Sequence, residues 1–280
     1  MSRHTRAEGY TLVELLIVVA IVGMVAAGIV GVYQVSQGIY TRATALEDAQ
    51  LGARAGLDRM ASELRLIGSY WVGASGAGNA ITAATPTSIT FMANVDDKSV
   101  INDLEAIPNP TATGTSVPLS PAAAADAFKV YVANPALNDY IYIANGGTRE
   151  VKRITAIAGS TLTLASALST SYPATGSLVR DVKIITYARN AVATSTCPAS
   201  TCLTRTQGGS GADPIVDNVT DLTFTYFRSD GVTTTTNAAL IREIQIDLTV
   251  CIKQTPAASC QDPGSSSRHM TTRVKPRSLP

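Results

Sequence analysis

Apolar and polar positions divide this chain into three regimes. From Thr11 through Val32 the only ionisable side chain is Glu14, and proline is absent. At about 1.5 Å per residue this run forms a helix long enough to cross a hydrocarbon core of about 30 Å. Beyond Tyr33, Val35, Ile39, Leu46, Ala53, Leu57, Met60, Leu64 and Ile67 step by three, four or seven and draw one apolar stripe. Gln37, Arg42, Glu47, Asp48, Arg54, Arg59, Glu63 and Arg65 fall off the stripe, and Gly68 follows as a C-cap. One continuous helix from about Thr11 to Ile67, roughly 85 Å long, is the expectation.

After Gly68 the period drops toward two. Strands are expected over 88–95, 128–132, 140–144, 150–157, 161–164, 179–189, 219–228 and 269–275. Asn145-Gly146-Gly147, Gly159-Ser160 and Ser229-Asp230-Gly231 mark turns. Ile244, Ile246, Leu248, Val250 and Ile252 occupy every second position, with Glu243, Gln245, Asp247, Thr249 and Cys251 opposite. That alternation predicts a half-buried strand with Cys251 on its wet side. Residues 69–87 and 197–213 read as loops, and 96–126, with Pro108, Pro110, Pro118 and Pro121, as an irregular excursion.

The flanks of the apolar run set its orientation. Arg3 and Arg6, opposed only by Glu8, hold the N-terminus in the cytoplasm and send the rest across the membrane. A secretory signal would be shorter and end in an Ala-x-Ala-like site. Here the conspicuous small residue, Gly9, precedes the run, so processing there leaves the helix on the mature protein. Glu14 costs about 2.5–3.5 kcal/mol in mid-membrane, less near the interface, so it points to a positive charge on another subunit. Gly23, Ala27 and Gly31 form a small-xxx-small stripe suited to close helix packing.

Composition narrows the chemistry. A formal charge of +1 leaves no electrostatic footprint for nucleic acid. His4 and His269 lie at the two ends, so no Ser-His-Asp or Cys-His arrangement is expected, and neither an enzyme nor a cofactor is. Asn94, Asp96, Asp97, Asn102, Asp103 and Glu105 cluster, but their spacing matches no EF-hand and reads as a solvated acidic loop. Four cysteines allow three connectivities. Export to an oxidising compartment favours two local bridges, Cys197 to Cys202 and Cys251 to Cys260, over a metal site.

The run Gly9-Tyr10-Thr11-Leu12-Val13-Glu14-Leu15-Leu16, after a basic leader and before an unbroken apolar helix, resembles the class III signal of type IV prepilins and type II secretion pseudopilins. That resemblance implies cleavage between Gly9 and Tyr10 by a prepilin peptidase, N-methylation of Tyr10, and pairing of Glu14 with a neighbouring subunit's amino group. The partners it implies are other minor and major pilins, the prepilin peptidase/methyltransferase, an inner-membrane assembly platform and, before assembly, lipid. The implied fold is α+β and pilin-like, a long N-terminal helix packed on a C-terminal antiparallel sheet domain. Its expected division is a leader (1–9), a hydrophobic transmembrane or filament-core helix (10–33), an amphipathic continuation (34–68) and a periplasmic β-rich domain (69–280).

Asp217-Asn218-Val219-Thr220-Asp221-Leu222-Thr223-Phe224-Thr225-Tyr226, the strand over 241–250 and Arg273-Val274-Lys275-Pro276-Arg277 extend the similarity toward PilW-type minor pilins. Residues 69–177 carry no such likeness. The implied role is priming pilus assembly, at or near the tip, first from the inner membrane and then at the cell surface. A J-type pseudopilin of a type II secretion system is the alternative within the class. A membrane-tethered adhesin, with Tyr70 and Trp71 of the Gly-rich loop exposed, is the alternative outside it.

Overall fold

A single helix, α1 (Leu12–Arg65), dominates the chain, and at the standard rise it is about 80 Å long. The computed structural model describes residues 11–95, 107–108, 111–120, 139–191, 201–208, 211–252 and 266–279. Thr11 caps α1, and its last turn closes when the Leu66 amide donates to Glu63 and Leu64 carbonyls. Gly68 then turns the chain with φ +80°, a conformation that favours glycine. A Cβ there would also lie 2.7 Å from Val72 Cγ2, so shape and backbone agree on the residue.

The strands follow as β1 (Ile81–Ala84), β2 (Ser88–Ala93), β3 (Ile107–Pro108), β4 (Ser116–Ser120), β5 (Asp139–Asn145), β6 (Thr148–Ala158) and β7 (Thr161–Leu164). Then come β8 (Ser177–Ala191), β9 (Thr201–Gln207), β10 (Asp213–Val216), β11 (Val219–Phe227), β12 (Glu243–Ile252) and β13 (Ser266–Val274). A short 3-10 helix, Ala238–Leu240, precedes β12. Among the described residues these form a ten-stranded sheet, with β1-β2-β8-β5-β6-β7-β4-β3 as its path and β9 and β10 branching from β8, and a separate β11-β12-β13 sheet. Every strand pairing within them is antiparallel. This is an α+β, pilin-like arrangement.

The expected turns close real hairpins: Asn145 faces Thr148 across Gly146-Gly147, and Ala158 faces Thr161 across Gly159-Ser160. Gly146 and Gly159 have φ of +57° and +58°, as two-residue hairpin loops require.

One core joins the last turns of α1 to both sheets. Ala53, Leu57, Met60, Leu64 and Ile67 from the apolar stripe are buried against residues such as Phe91, Ile185, Ile246 and Leu248. A second core, built from Val117, Ile141, Ile143, Ile154, Leu162 and Tyr172, holds the β4–β7 end together. Gly56 lets β10 approach α1, because a Cβ there would sit 2.2 Å from Val216 Cγ2. Between the sheets, the Tyr226 hydroxyl donates to the carbonyls of Thr85 (2.7 Å) and Ser88 (3.0 Å).

Several expectations change. Val35 and Ile39 lie on the stripe but are exposed, since the domain reaches only the C-terminal part of α1. Glu63, placed among the solvent-facing polar residues, is buried. Arg205 Nε lies 2.8 Å from its Oε2, and the Tyr187 hydroxyl donates to the same oxygen at 2.8 Å. Residues 197–213 are not all loop, for they contain β9, and 69–87 contain β1. Within the proline-rich excursion β4 pairs with β7 as far as Pro118. β12 has no wet face at its ends. Glu243 is buried, with Arg273 Nη1 at 3.4 Å and Lys275 Nζ at 3.6 Å, and Cys251 is only 3% exposed. The strand expected over 128–132 lies outside the described residues.

Candidate functional site

From Leu12 to Thr41 every side chain of α1 is exposed, although Leu15, Leu16, Ile17, Val18 and Val19 are among them. α1 is the one helix among the described residues long and apolar enough to cross a membrane, and none of its most apolar window is buried in the protein. Water would not leave such a surface bare. About 25 cal/mol per Å² of apolar area favours covering it with lipid or with other helices.

Glu14 sits in the first turn of this surface. Its Oε2 accepts hydrogen bonds from the Thr11 amide and hydroxyl, both at 3.0 Å. The Glu14 amide donates back to Thr11 Oγ1 at 3.3 Å, which completes a reciprocal capping box. The Thr-x-x-Glu spacing over Thr11–Glu14 announces this device in the sequence, and reading Glu14 only as an ion-pair partner misses it. Thr11 is therefore a site residue too. It fixes the carboxylate at the helix N-terminus, where exposed amides and the helix dipole also favour negative charge.

Gly9 and Tyr10 lie outside the described residues. Along the helix, Gly23, Gly28 and Gly31 have nothing within 4 Å of where a Cβ would be, so their face is open to a close neighbour.

The domain end is held by buried polar groups that sequence alone did not pair. Glu63 on α1 meets Arg205 on β9 and Tyr187 on β8, residues separated by 142 and 124 positions. Burial, and then the Glu63 carboxylate, push the Tyr187 hydroxyl well above the usual tyrosine range, so it stays a donor. Glu150 is buried at 1% exposure and accepts from the Ser169 amide (3.0 Å) and the Tyr172 hydroxyl (2.8 Å), with Lys152 Nζ at 3.2 Å. Burial raises its pKa, but these bonds together outweigh it and hold the carboxyl below its ordinary value.

Trp71 packs edge-on against Tyr140 with centroids 5.1 Å apart, so it is a core residue. Tyr70 beside it is partly exposed and tilted on Tyr142 at 5.2 Å. Cys202 and Cys251 are both disulfide-bonded. Cys197 and Cys260, the partners expected for them, lie outside the described residues, as do Asp96, Asp97, Asn102, Asp103 and Glu105 of the acidic cluster. Among the described residues no group of three His, Cys, Asp or Glu is placed to hold a metal.

An apolar helix with an acidic first turn, running out of an antiparallel β domain, defines a membrane-anchored precursor with a type IV prepilin-like class III signal. The family model for the prokaryotic N-terminal methylation motif matches residues 4–30, which takes in the leader from His4 onward, Gly9, Tyr10, Glu14 and most of the apolar run. No curated protein and no solved structure matches the chain significantly.

Proposed function

We propose that the chain is a PilW-type minor pilin. Prepilin peptidase cuts between Gly9 and Tyr10 on the cytoplasmic face, Tyr10 is N-methylated, and the helix passes from lipid into a filament whose assembly it helps to start, at or near the tip. The observation that carries the reading is the methylation motif at the head of a helix whose apolar half is exposed among the described residues. The chain's part in this is structural and not catalytic. Glu14 is the assembly determinant: once the helix is surrounded by other helices, a neighbour's methylated amine offsets the cost of burying the carboxylate. Before assembly the domain lies in the periplasm, and afterwards at the cell surface.

Intact-mass and N-terminal analysis of filament-associated protein tests the processing step, and the expected chain begins at methylated Tyr10. A retained leader on protein inside normal filaments refutes the reading. Glu14→Ala tests assembly separately, with loss of filament incorporation expected while cleavage persists. Co-purification with secretion components and not with pilins would move the role to a J-type pseudopilin and leave the processing chemistry intact.

A further inference from the structure

Where α1 ends, the chain enters a Gly- and Ala-rich loop over 72–81 that bounds a cleft of about 750 Å³. That volume lies within the range of about 300–1,000 Å³ typical of ligand sites. The opposite walls are the β5–β6 hairpin tip with Arg149, the 3-10 helix with Arg242, and Leu279. The cleft is preformed. Trp71 Nε1 donates to the Gly78 carbonyl at 2.9 Å, the Ser75 amide to the Arg149 carbonyl at 2.8 Å, and the Val151 amide to the Ser75 carbonyl at 3.0 Å. Gly76 is required for that stitching, since its φ is +86° and a Cβ would lie 3.0 Å from the Val151 carbonyl.

The electrostatics of this cleft are one-sided. Among the described residues its lining holds two guanidinium groups and no carboxylate. Arg149 has no carboxylate partner among the described residues, whereas Arg205, Arg273 and Lys152 each have one. Arg242 is held by its own loop, with Nη1 donating to the Ala239 and Ile241 carbonyls at 2.8 Å each. An arginine has five N–H donors, so the remaining three are oriented without being consumed. Guanidinium forks bind carboxylates in parallel pairs of hydrogen bonds, and fixing one in advance removes part of the ordering cost.

We propose that this cleft binds a carboxylate-bearing sugar, an oligomeric uronate, through Arg149 and Arg242. Ser75, Asn79 and Thr148 line the same space and supply the short hydroxyl and amide groups that a hydroxylated anion needs. A polypeptide partner would call for aromatic anchor pockets, whereas among the described residues half of this lining is glycine and alanine, none of it is aromatic, and its larger apolar side chains are Val72, Ile81 and Leu279. The site opens beside the C-terminus of α1, about 80 Å along the helix from Leu12, at the end of α1 farthest from the membrane-crossing run. The proposal does not rest on the filament role, because binding is a property of the detergent-solubilised chain.

Trp71 is the only tryptophan and its indole N–H bonds directly to the cleft wall, so its fluorescence reports occupancy. The full chain in micelles is titrated with trigalacturonic acid, maltotriose, inorganic phosphate and tetraglutamate, and equilibrium dialysis of the same mixtures measures binding independently of the indole. Saturable binding of trigalacturonate is expected, at least about tenfold tighter than that of the other three. Arg149→Gln, an exposed position, should keep the wild-type melting temperature and weaken binding about tenfold. Arg242→Lys, which keeps the charge and loses the fork, should weaken it as well. Absence of trigalacturonate binding, equal binding of maltotriose, tighter binding of phosphate or tetraglutamate, or an unchanged affinity in Arg149→Gln each overturns the proposal.

Discussion

Removing the Glu63 carboxylate tests how α1 is fastened to the sheets. The side chains of Glu63 and Arg205 are only 11% and 7% exposed, and Arg205 Nε lies 3.0 Å and 2.8 Å from the two carboxylate oxygens. In Glu63→Gln the shape is kept but a guanidinium is left buried without its counter-charge. Breaking one side of a buried pair in this way costs about 3–5 kcal/mol, far more than the pair itself contributes net. Arg59, which reaches Glu63 at 3.4 Å, is half exposed and adds little. For a domain of this size the expected fall in Tm is roughly 10 °C, at about 2–4 °C per kcal/mol. Thermal unfolding of the full chain in micelles, followed by near-UV circular dichroism, measures it. The double variant Glu63→Leu with Arg205→Met should recover most of the loss, because no charge is left stranded. A Glu63→Gln chain melting within about 2 °C of wild type, equivalent to less than about 1 kcal/mol, would show that water or another group already serves Arg205.

Other consequences are open to measurement. Gly56→Ala gains up to about 1 kcal/mol of helix propensity but would bring a Cβ to 2.2 Å from Val216 Cγ2, so a net loss of about 1–2 kcal/mol is expected. Adding Val216→Ala should reverse the steric part, and an unchanged Tm in Gly56→Ala alone would contradict the packing. Glu150 has a folded pKa below its ordinary value of 4.5, so the stability it contributes is present above that value and is lost as pH falls through the lowered one. Wild type should therefore lose stability more steeply than Glu150→Gln below about pH 4.5, and parallel acid profiles would remove Glu150 from the account. Non-reducing peptide mapping of exported protein should join Cys197 to Cys202 and Cys251 to Cys260, and a Cys202–Cys251 peptide would overturn that pairing.

Legibility from sequence followed the range of the interactions. α1, its Thr11 start, the two-residue hairpins and the 219–228 strand were readable, because each is specified by residues close in the chain: a capping residue, a glycine at positive φ, or a local period. β7 was expected and found over the same four residues, Thr161–Leu164. β9 was not readable. Thr201-Cys202-Leu203-Thr204-Arg205 looks like a polar loop until Arg205 meets a carboxylate 142 residues away. Glu63 failed for the same reason, and Cys251 because its alternation put it on the solvent side, whereas it is buried and disulfide-bonded. At the candidate site the motif around Glu14 was legible, and the capping role of Thr11 was legible but unread. The cleft beside Arg149 and Arg242 was invisible, since its walls come from four segments distant in the chain.

The capping box bears on how Glu14 is carried through lipid before assembly. A bare carboxylate in the first turn would face hydrocarbon with four acceptor sites unmet, but here the Thr11 amide and hydroxyl already satisfy part of that demand on one oxygen, Oε2. Oε1 takes no part in the capping box, so an amine arriving from another subunit can pair there without breaking the cap. Thr11→Ala should therefore act differently from Glu14→Ala. It removes the hydroxyl bonds, costs about 1 kcal/mol of helix capping, and leaves the ion-pair partner in place. Filament incorporation is expected to fall modestly in Thr11→Ala and to be lost in Glu14→Ala, measured by immunoblot of sheared filaments against total membrane protein. Equal loss in both variants would mean that the cap, and not the charge, is what assembly reads.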